Sequence, residues 1–280
     1  MALWAGASFT LMQPTDQHTM TQMELTPTDQ QTLLRICRRL SPECRVLFIT
    51  GAGMSADSGL PTYRGIGGLY DREHTDEGVP IEDALSGEML QSRPELCWKY
   101  LAQIGQAAMG STFNIGHRVL AEMEDHFAHT CILTQNIDGY HRAAGSRNVI
   151  EIHGNMHSLL CTQCPFEESL DTMDKVSIPP RCPECDAVLR PDVVLFGEML
   201  PAEKIESLYA ELDAGFDAVF SIGTTAVFPY IMQPVTRAKE LGWMTVEINP
   251  AESRVSHVVD MRLPLRAAVA LEAIWERIRD

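Results

Sequence analysis

Apolar positions along this chain fall into two kinds of run. Short, mostly apolar runs with β-branched residues occur at RVLFIT (45–50), TCILT (130–134), AVFSIG (218–223), WMTVEI (243–248) and VVDMRL (258–263). Each predicts a strand, and RVLFIT reads as a buried one. Between most of them, apolar residues recur at helical spacing. TPTDQQTLLRICRRL predicts a helix with Thr26 as N-cap, Pro27 in the first position and a stripe of Leu33, Leu34, Cys37 and Leu40. Further helices are predicted near 92–109, with Ser92 and Glu95 as a capping box, near 115–125, and over 266–278, where Val269, Leu271, Ile274, Trp275 and Ile278 repeat. Strand alternating with helix predicts an α/β fold, a parallel sheet covered on both faces.

Two stretches break this rhythm. Residues 65–91 are rich in Gly, Asp and Glu without periodicity, and irregular chain of that length inside a domain is usually functional or mobile. Residues 155–190 are weakly periodic and carry four of the eight cysteines, as Cys161-x2-Cys164 and Cys182-x2-Cys185. Paired CxxC spacing predicts a zinc ribbon inserted into the sheet domain. Four thiolates close a tetrahedral site, so the predicted zinc is structural and needs no histidine. Cys37, Cys44, Cys97 and Cys131 lie in apolar surroundings and are read as free thiols.

Charge narrows the partners. Lys+Arg 22 against Asp+Glu 38 leaves a formal charge of −16, which disfavours nucleic acid, because phosphate contacts need a basic surface. No run of eighteen apolar residues is present, so no membrane span is expected. No Lys or Arg precedes Arg35, whereas a secretory signal needs a basic start and a mitochondrial one is Arg-rich. Residues 1–24 are read as a polar, mostly disordered extension, and the cysteine usage as that of a reducing, cytoplasmic setting.

RVLFIT runs straight into Gly51-Ala52-Gly53-Met54-Ser55-Ala56, a G-x-G-x-x-A turn. Glycines there let backbone approach a pyrophosphate, although a tight turn without a ligand has the same signature. A hydride-transfer enzyme would place an acid about twenty residues on, at the end of its second strand. Asp71 has the spacing but sits in the irregular stretch, so a dinucleotide is held differently here. Asn249 and the turn Gly223-Thr224-Thr225 stand at strand ends, where ligands of open α/β sheets gather. His153, after NVIEI and before a glycine, suits a general base with a near-neutral pKa, or a structural role; His157 is read as structural.

Together, GAGMSADSGLPTYRG (51–65), TQNIDGYHRAAG (134–145), EIHGN (151–155), the CxxC pairs, LRPDVVLFGE (189–198), GTTAVFP (223–229) and VEIN (246–249) resemble the sirtuins, NAD-dependent protein lysine deacylases. The resemblance runs from about residue 27 to the C-terminus. It implies a Rossmann-like domain over 25–64, 110–154 and 191–280, with a small zinc-ribbon and helical domain over 65–109 and 155–190. Ala52, Gly53 and Ser55, in the turn that begins at Gly51, would meet the NAD phosphates and ribose, with Tyr63 and Arg64 beside them. Gln135 and Asn136 would contact the nicotinamide ribose, Asp138 the carboxamide, and Gly223, Thr224, Thr225 and Asn249 the adenosine half. Val193, Val194, Leu195, Phe196, Gly197 and Glu198 would pair with an acyl-lysine peptide as an added strand. The acyl oxygen attacks the ribose carbon bearing nicotinamide. His153 then removes a proton from a ribose hydroxyl, which takes the acyl group, leaving lysine, O-acyl-ADP-ribose and nicotinamide.

The chain also departs from the family. Where succinyl-preferring sirtuins carry Tyr-x-x-Arg, it has Leu101 and Ile104, which implies an uncharged acyl group. Tyr63 stands for the commoner phenylalanine, and RLPLRAA leaves Leu265 and Arg266 as the adenine-site candidates. Mono-ADP-ribosyl transfer and a non-enzymatic NAD-binding regulator are the rival readings; intact His153, Asn136 and Asp138 disfavour the second.

Overall fold

The computed structural model describes residues 25–61, 75–174 and 176–279. Nine strands are formed among them: β1 (Arg45–Thr50), β2 (His129–Thr134), β3 (Val149–Glu151), β4 (Gly154–Cys161), β5 (Glu167–Ser169), β6 (Leu189–Val193), β7 (Ala218–Ile222), β8 (Met244–Ile248) and β9 (Met261–Leu263). Six of them make one sheet in the order β3-β2-β1-β7-β8-β9, every pair parallel. The chain winds outward from β1 to β3, then returns to the other side of β1 with β7. That reversal is a topological switch point, and it opens a crevice beyond the carboxyl ends of β1 and β7.

The five predicted strands are present, with three trimmed: Gly223 stays outside β7. Trp243 stays outside β8, and VVDMRL pairs only over Met261–Leu263, because the Val258 and Val259 amides turn back onto the Val255 carbonyl. Both faces of the sheet are dry. On one, Val46, Phe48, Phe220 and Ile248 pack under α1 (Pro27–Cys37), α5 (Ile115–His126) and α9 (Ala267–Ile278). On the other, Leu47, Ile49, Leu133 and Val219 pack under α7 (Ala202–Ala214) and α8 (Pro229–Glu240). Burial on both sides explains why these strands read as mostly apolar runs. Thr26 caps α1 as expected: its Oγ1 accepts from the Asp29 amide at 3.1 Å and the Asp29 carboxylate accepts from the Thr26 amide.

A second, antiparallel sheet, β5-β4-β6, carries the cysteine region. It packs with α2 (Ile81–Ala84), α3 (Gly87–Ser92) and α4 (Pro94–Met109) around a separate core. Trp98, fully buried, donates its indole N–H to the Leu189 carbonyl at 2.8 Å and ties α4 to β6. Two expectations are corrected here. Within the stretch read as irregular, α2 and α3 are helical. Ser92 caps nothing: it ends α3, its hydroxyl donates to the Glu88 carbonyl, and α4 starts at Pro94 after Arg93. Proline at the first helical position needs no hydrogen-bond partner for its nitrogen, so the start survives without a side-chain cap.

Candidate active site

The site begins where two loops collide. The Gly51 amide donates to the Ile222 carbonyl at 3.1 Å and the Gly53 amide to the Gly223 carbonyl at 2.8 Å. A Cβ on Gly51 would stand 2.7 Å from the Thr224 Cβ, and one on Gly53 2.6 Å from the Gly223 Cα. Gly223 itself has φ of +57° and would meet the Gly53 carbonyl carbon at 2.5 Å. The glycines therefore answer to each other: they let the β1 and β7 turns touch. The sequence left these glycines between approach to a pyrophosphate and a tight turn without a ligand; the contact with the β7 turn is a further reason for them.

Above this floor lies a cleft of about 500 Å³. Gly51, Ala52 and Gly53 line it with Gly223, Thr224, Thr225 and Asn249 at one end, and Gln135, Asn136 and His153 toward the other. The far wall is the segment Val193 to Glu198, with Leu85, Leu101 and Ile104. A smaller pocket of about 50 Å³, bounded by Ser55 and Asp138, shares Ala52, Ile104, Asn136 and Ile137 with the cleft and leads off it.

Polar side chains here are held by one another. Ser55 Oγ donates to Asp138 Oδ2 at 2.6 Å, and the Tyr140 amide, at the start of the short helix α6 (Tyr140–Ala143), donates to Asp138 Oδ1 at 3.0 Å. Asn136 Nδ2 donates to the Gly51 carbonyl and to Ser55 Oγ, both at 3.1 Å. Gln135 Nε2 reaches Thr224 Oγ1 at 2.8 Å, and Asn249 Nδ2 the Thr224 carbonyl at 2.9 Å, which locks the loop ends of β2, β7 and β8 together. Burial raises the Asp138 carboxyl above its ordinary range, against the pull of these donors.

His153 is oriented from both sides. Its Nδ1 lies 2.9 Å from the Gln135 carbonyl, which can only accept, so the proton is on Nδ1 and Nε2 carries the lone pair. Nε2 faces the Tyr230 hydroxyl at 2.7 Å. Burial lowers the imidazole below its ordinary value, and the hydrogen bond to Gln135 opposes that shift. The ring is thus a neutral proton acceptor aimed into the cleft. His157 points elsewhere, to the Leu170 and Asp138 carbonyls at 3.1 and 3.2 Å.

Beyond His153 the chain offers an edge already half used. The Val194 amide donates to the His153 carbonyl at 2.8 Å, and Phe196 exchanges bonds with the Leu85 carbonyl and Gly87 amide. Only Val193 of the six predicted residues belongs to β6; the rest follow as an irregular segment, turned at Gly197 with φ of +80°. Glu198 fixes its shape by accepting from the Leu195 amide and, bidentately, from Arg190 at 2.6 and 2.8 Å.

Cys161, Cys164, Cys182 and Cys185 come together at the end of the small sheet, all four sulfurs within 4.8 Å of one another. Cys161 to Cys185 is 3.4 Å and Cys164 to Cys182 is 3.6 Å. A Zn–S bond of about 2.3 Å puts tetrahedral sulfurs ~3.8 Å apart, so the cradle fits one zinc ion. None of the four lines the cleft.

Tyr63, Arg64 and Asp71 lie outside the described residues. Leu265 and Arg266 are not in the cleft: Leu265 is packed in the main core, and Arg266 pairs with Asp57 at 2.6 Å. Sequence reasoning missed Tyr230. Its one signal was an aromatic hydroxyl directly after the proline of GTTAVFP, where helix α8 begins at the rim of the switch point.

Fold and cleft define an α/β protein that holds an extended ligand across a switch point, with a proton acceptor on its wall. A family model described as Sir2 family matches residues 51–229. The chain is 53% identical over 226 residues to NAD-dependent protein deacylase 2 of Pseudomonas aeruginosa, covering 80% of this chain and 88% of that one. It is 50% identical over 249 residues to the protein of the same name in Pseudomonas syringae pv. tomato, covering 88% and 100%. A solved Sir2 homologue–NAD complex superposes with a TM-score of 0.76 at 31% identity, over 93% of this chain and 98% of that one. The chain belongs to the Sir2 family.

Proposed function

We propose that this protein is an NAD-dependent protein lysine deacetylase with His153 as its general base. The observation that carries the reading is the His153 tautomer: a carbonyl takes Nδ1, leaving the Nε2 lone pair inside a glycine-floored cleft. Its relatives' names point the same way, since both Pseudomonas proteins are called NAD-dependent deacylases.

The cleft suits NAD by its shape and donors. Gly51, Ala52, Gly53 and Ser55 would take the phosphates and adjoining ribose, together with Tyr63 and Arg64, while Gly223, Thr224, Thr225 and Asn249 would hold the adenosine half. Asn136 and Gln135 stand beside the other ribose, and Asp138 closes the small pocket suited to nicotinamide. Bound NAD supplies the ribose that accepts the acyl group. Lowered basicity keeps His153 unprotonated near neutrality, ready to take a hydroxyl proton at Nε2. Residues Val193 to Glu198 would flank the substrate peptide, and one zinc on the four cysteines would hold the small domain without entering the reaction. Cys37, Cys44, Cys97 and Cys131 as free thiols suit a cytoplasmic setting.

A second reading, removal of longer uncharged acyl chains, is favoured by Leu85, Leu101 and Ile104 on the cleft wall, which offer apolar surface and no charge. Mass spectrometry of acetyl-, hexanoyl- and succinyl-lysine peptides with and without NAD tests both. Loss of the acetyl group that requires NAD is expected; NAD-independent loss, or transfer of adenine-labelled NAD to a protein acceptor in place of lysine release, counts against the proposal.

A further inference from the structure

His153 has one lone pair, and the chain itself has already filled it. Tyr230 Oη lies 2.7 Å from Nε2, and with Nδ1–H committed to Gln135 the phenol must be the donor of that bond. The tyrosine is not loosely placed. It sits in the first turn of α8, directly after Pro229, its ring stacked on Phe228 with centroids 5.4 Å apart and planes 12° from parallel. Its edge meets the His153 ring at 5.9 Å and 85°, and its body packs against the core beneath α7 and α8. Among the described residues no other hydrogen bond reaches Oη, so its own lone pairs remain open toward the cleft that Tyr230 and His153 both line.

We propose that Tyr230 is a second catalytic residue, the link through which a substrate hydroxyl delivers its proton to His153. This rests on the deacylase reading. The hydroxyl of the substrate ribose donates to Tyr230 Oη. As its O–H bond breaks, an Oη–H bond forms, and the proton Oη already held crosses to Nε2. The electron pair left on the ribose oxygen makes the new bond to the acyl carbon, whose carbon–nitrogen π pair moves onto the lysine nitrogen, the group that then leaves as the free amine. Tyr230 ends neutral, as it began, and His153 ends as an imidazolium still donating from Nδ1 to Gln135. Burial pushes the phenol up to about 12, so it enters each cycle as a neutral donor and not as a phenolate.

Two steps of the reaction separate this role from a structural one. Nicotinamide departs before the base acts, whereas acyl transfer needs it. In Tyr230→Phe, which keeps the ring and its stacking, nicotinamide release is expected to stay within about threefold of wild type while release of free lysine falls roughly 100-fold. Adding His153→Gln should cost little more, because the two groups act as one unit. An independent readout needs no NAD: in ¹⁵N spectra of imidazole-labelled protein, the Tyr230→Phe variant should keep the Nδ1–H tautomer, while the Nε2 resonance moves toward that of a lone pair without a donor. Free-lysine release at the wild-type rate, an equal fall in both steps, or an unchanged Nε2 resonance would each overturn the relay. A wild type that shows the tyrosine–histidine bond by NMR but neither releases nicotinamide nor frees lysine overturns the deacylase reading, and the relay with it.

Discussion

Gly154 and Gly197 make a matched pair for testing what holds His153 in place. Both are in the left-handed region, at φ +86° and +80°. Alanine at either pays the same conformational cost, about 1 kcal/mol. Their surroundings differ completely. A Cβ at Gly197 meets nothing within 4 Å, whereas one at Gly154 would fall 1.9 Å from the Asp192 carbonyl oxygen. Backbone cannot be side-stepped by a rotamer change, so β6 must move away from β4. Overpacking adds about 1–3 kcal/mol, and a lost ladder hydrogen bond roughly 1 more. Gly197→Ala should therefore lower the thermal midpoint by about 2–4 °C, and Gly154→Ala, at about 3–5 kcal/mol, by roughly 6–20 °C. The damage should also reach the chemistry, because Gly154 follows His153 and the His153 carbonyl holds the Val194 amide. Thermal denaturation of both variants, monitored by circular dichroism, decides the matter. Equal shifts, or a Gly154→Ala protein as stable as wild type, would refute the argument that the close approach of β4 and β6 demands this glycine.

Other consequences can be checked alongside. Burial holds His117 at about 3 and His141 well below its ordinary value, so between pH 6.5 and 3 folded His117 binds fewer protons than the unfolded chain does. Stability contributed by the neutral ring is complete above pH 6.5 and lost on acidification, by about 2 kcal/mol at pH 5 for His117 alone. Urea midpoints at pH 7.5 and 5 should show that loss and show it reduced in His117→Gln; a midpoint that rises on acidification contradicts it. Freshly purified protein should carry one zinc per chain by elemental analysis, and a chelator that strips it should lower the thermal midpoint; a metal-free chain of unchanged stability would remove zinc from the account. With Leu101 and Ile104 on the cleft wall, succinyl-lysine peptides should react at least ~10-fold more slowly than acetyl-lysine ones, since an unpaired carboxylate pays its desolvation there. Equal rates would mean another cation serves the acyl group. Because burial depresses His153, the acid limb of kcat/KM against pH should lie below 6.5. A limb above pH 7 would assign the base to a different group.

How much of this was legible depended on the range of the interaction. The β1, β2, β7 and β8 strands show as mostly apolar runs because each is buried on both faces, a property local to the run. The cysteine cluster was legible from spacing, since CxxC geometry is set within four residues. The cap at Ser92 failed because the same residue types that begin one helix also end another, and only packing chose between α3 and α4. The purpose of Gly51 and Gly53 was hidden for a different reason: their partner Gly223 lies about 170 residues away, and nothing local announces the contact. Tyr230 was silent on the same ground. Its partner His153 stands 77 residues upstream, and no periodicity or spacing links a phenol on one helix to an imidazole at the head of a strand.

As general base, His153 would let an NAD-derived ribose hydroxyl take the acyl group from lysine. The most direct measurement follows the acetyl group itself, by mass spectrometry of a reaction with ¹³C-acetyl-lysine peptide and NAD, in wild type and in His153→Gln. Wild type should give labelled O-acetyl-ADP-ribose, and the variant nicotinamide release with almost no labelled product. Labelled free acetate as the first product, or acetyl transfer that persists undiminished without His153, would contradict it.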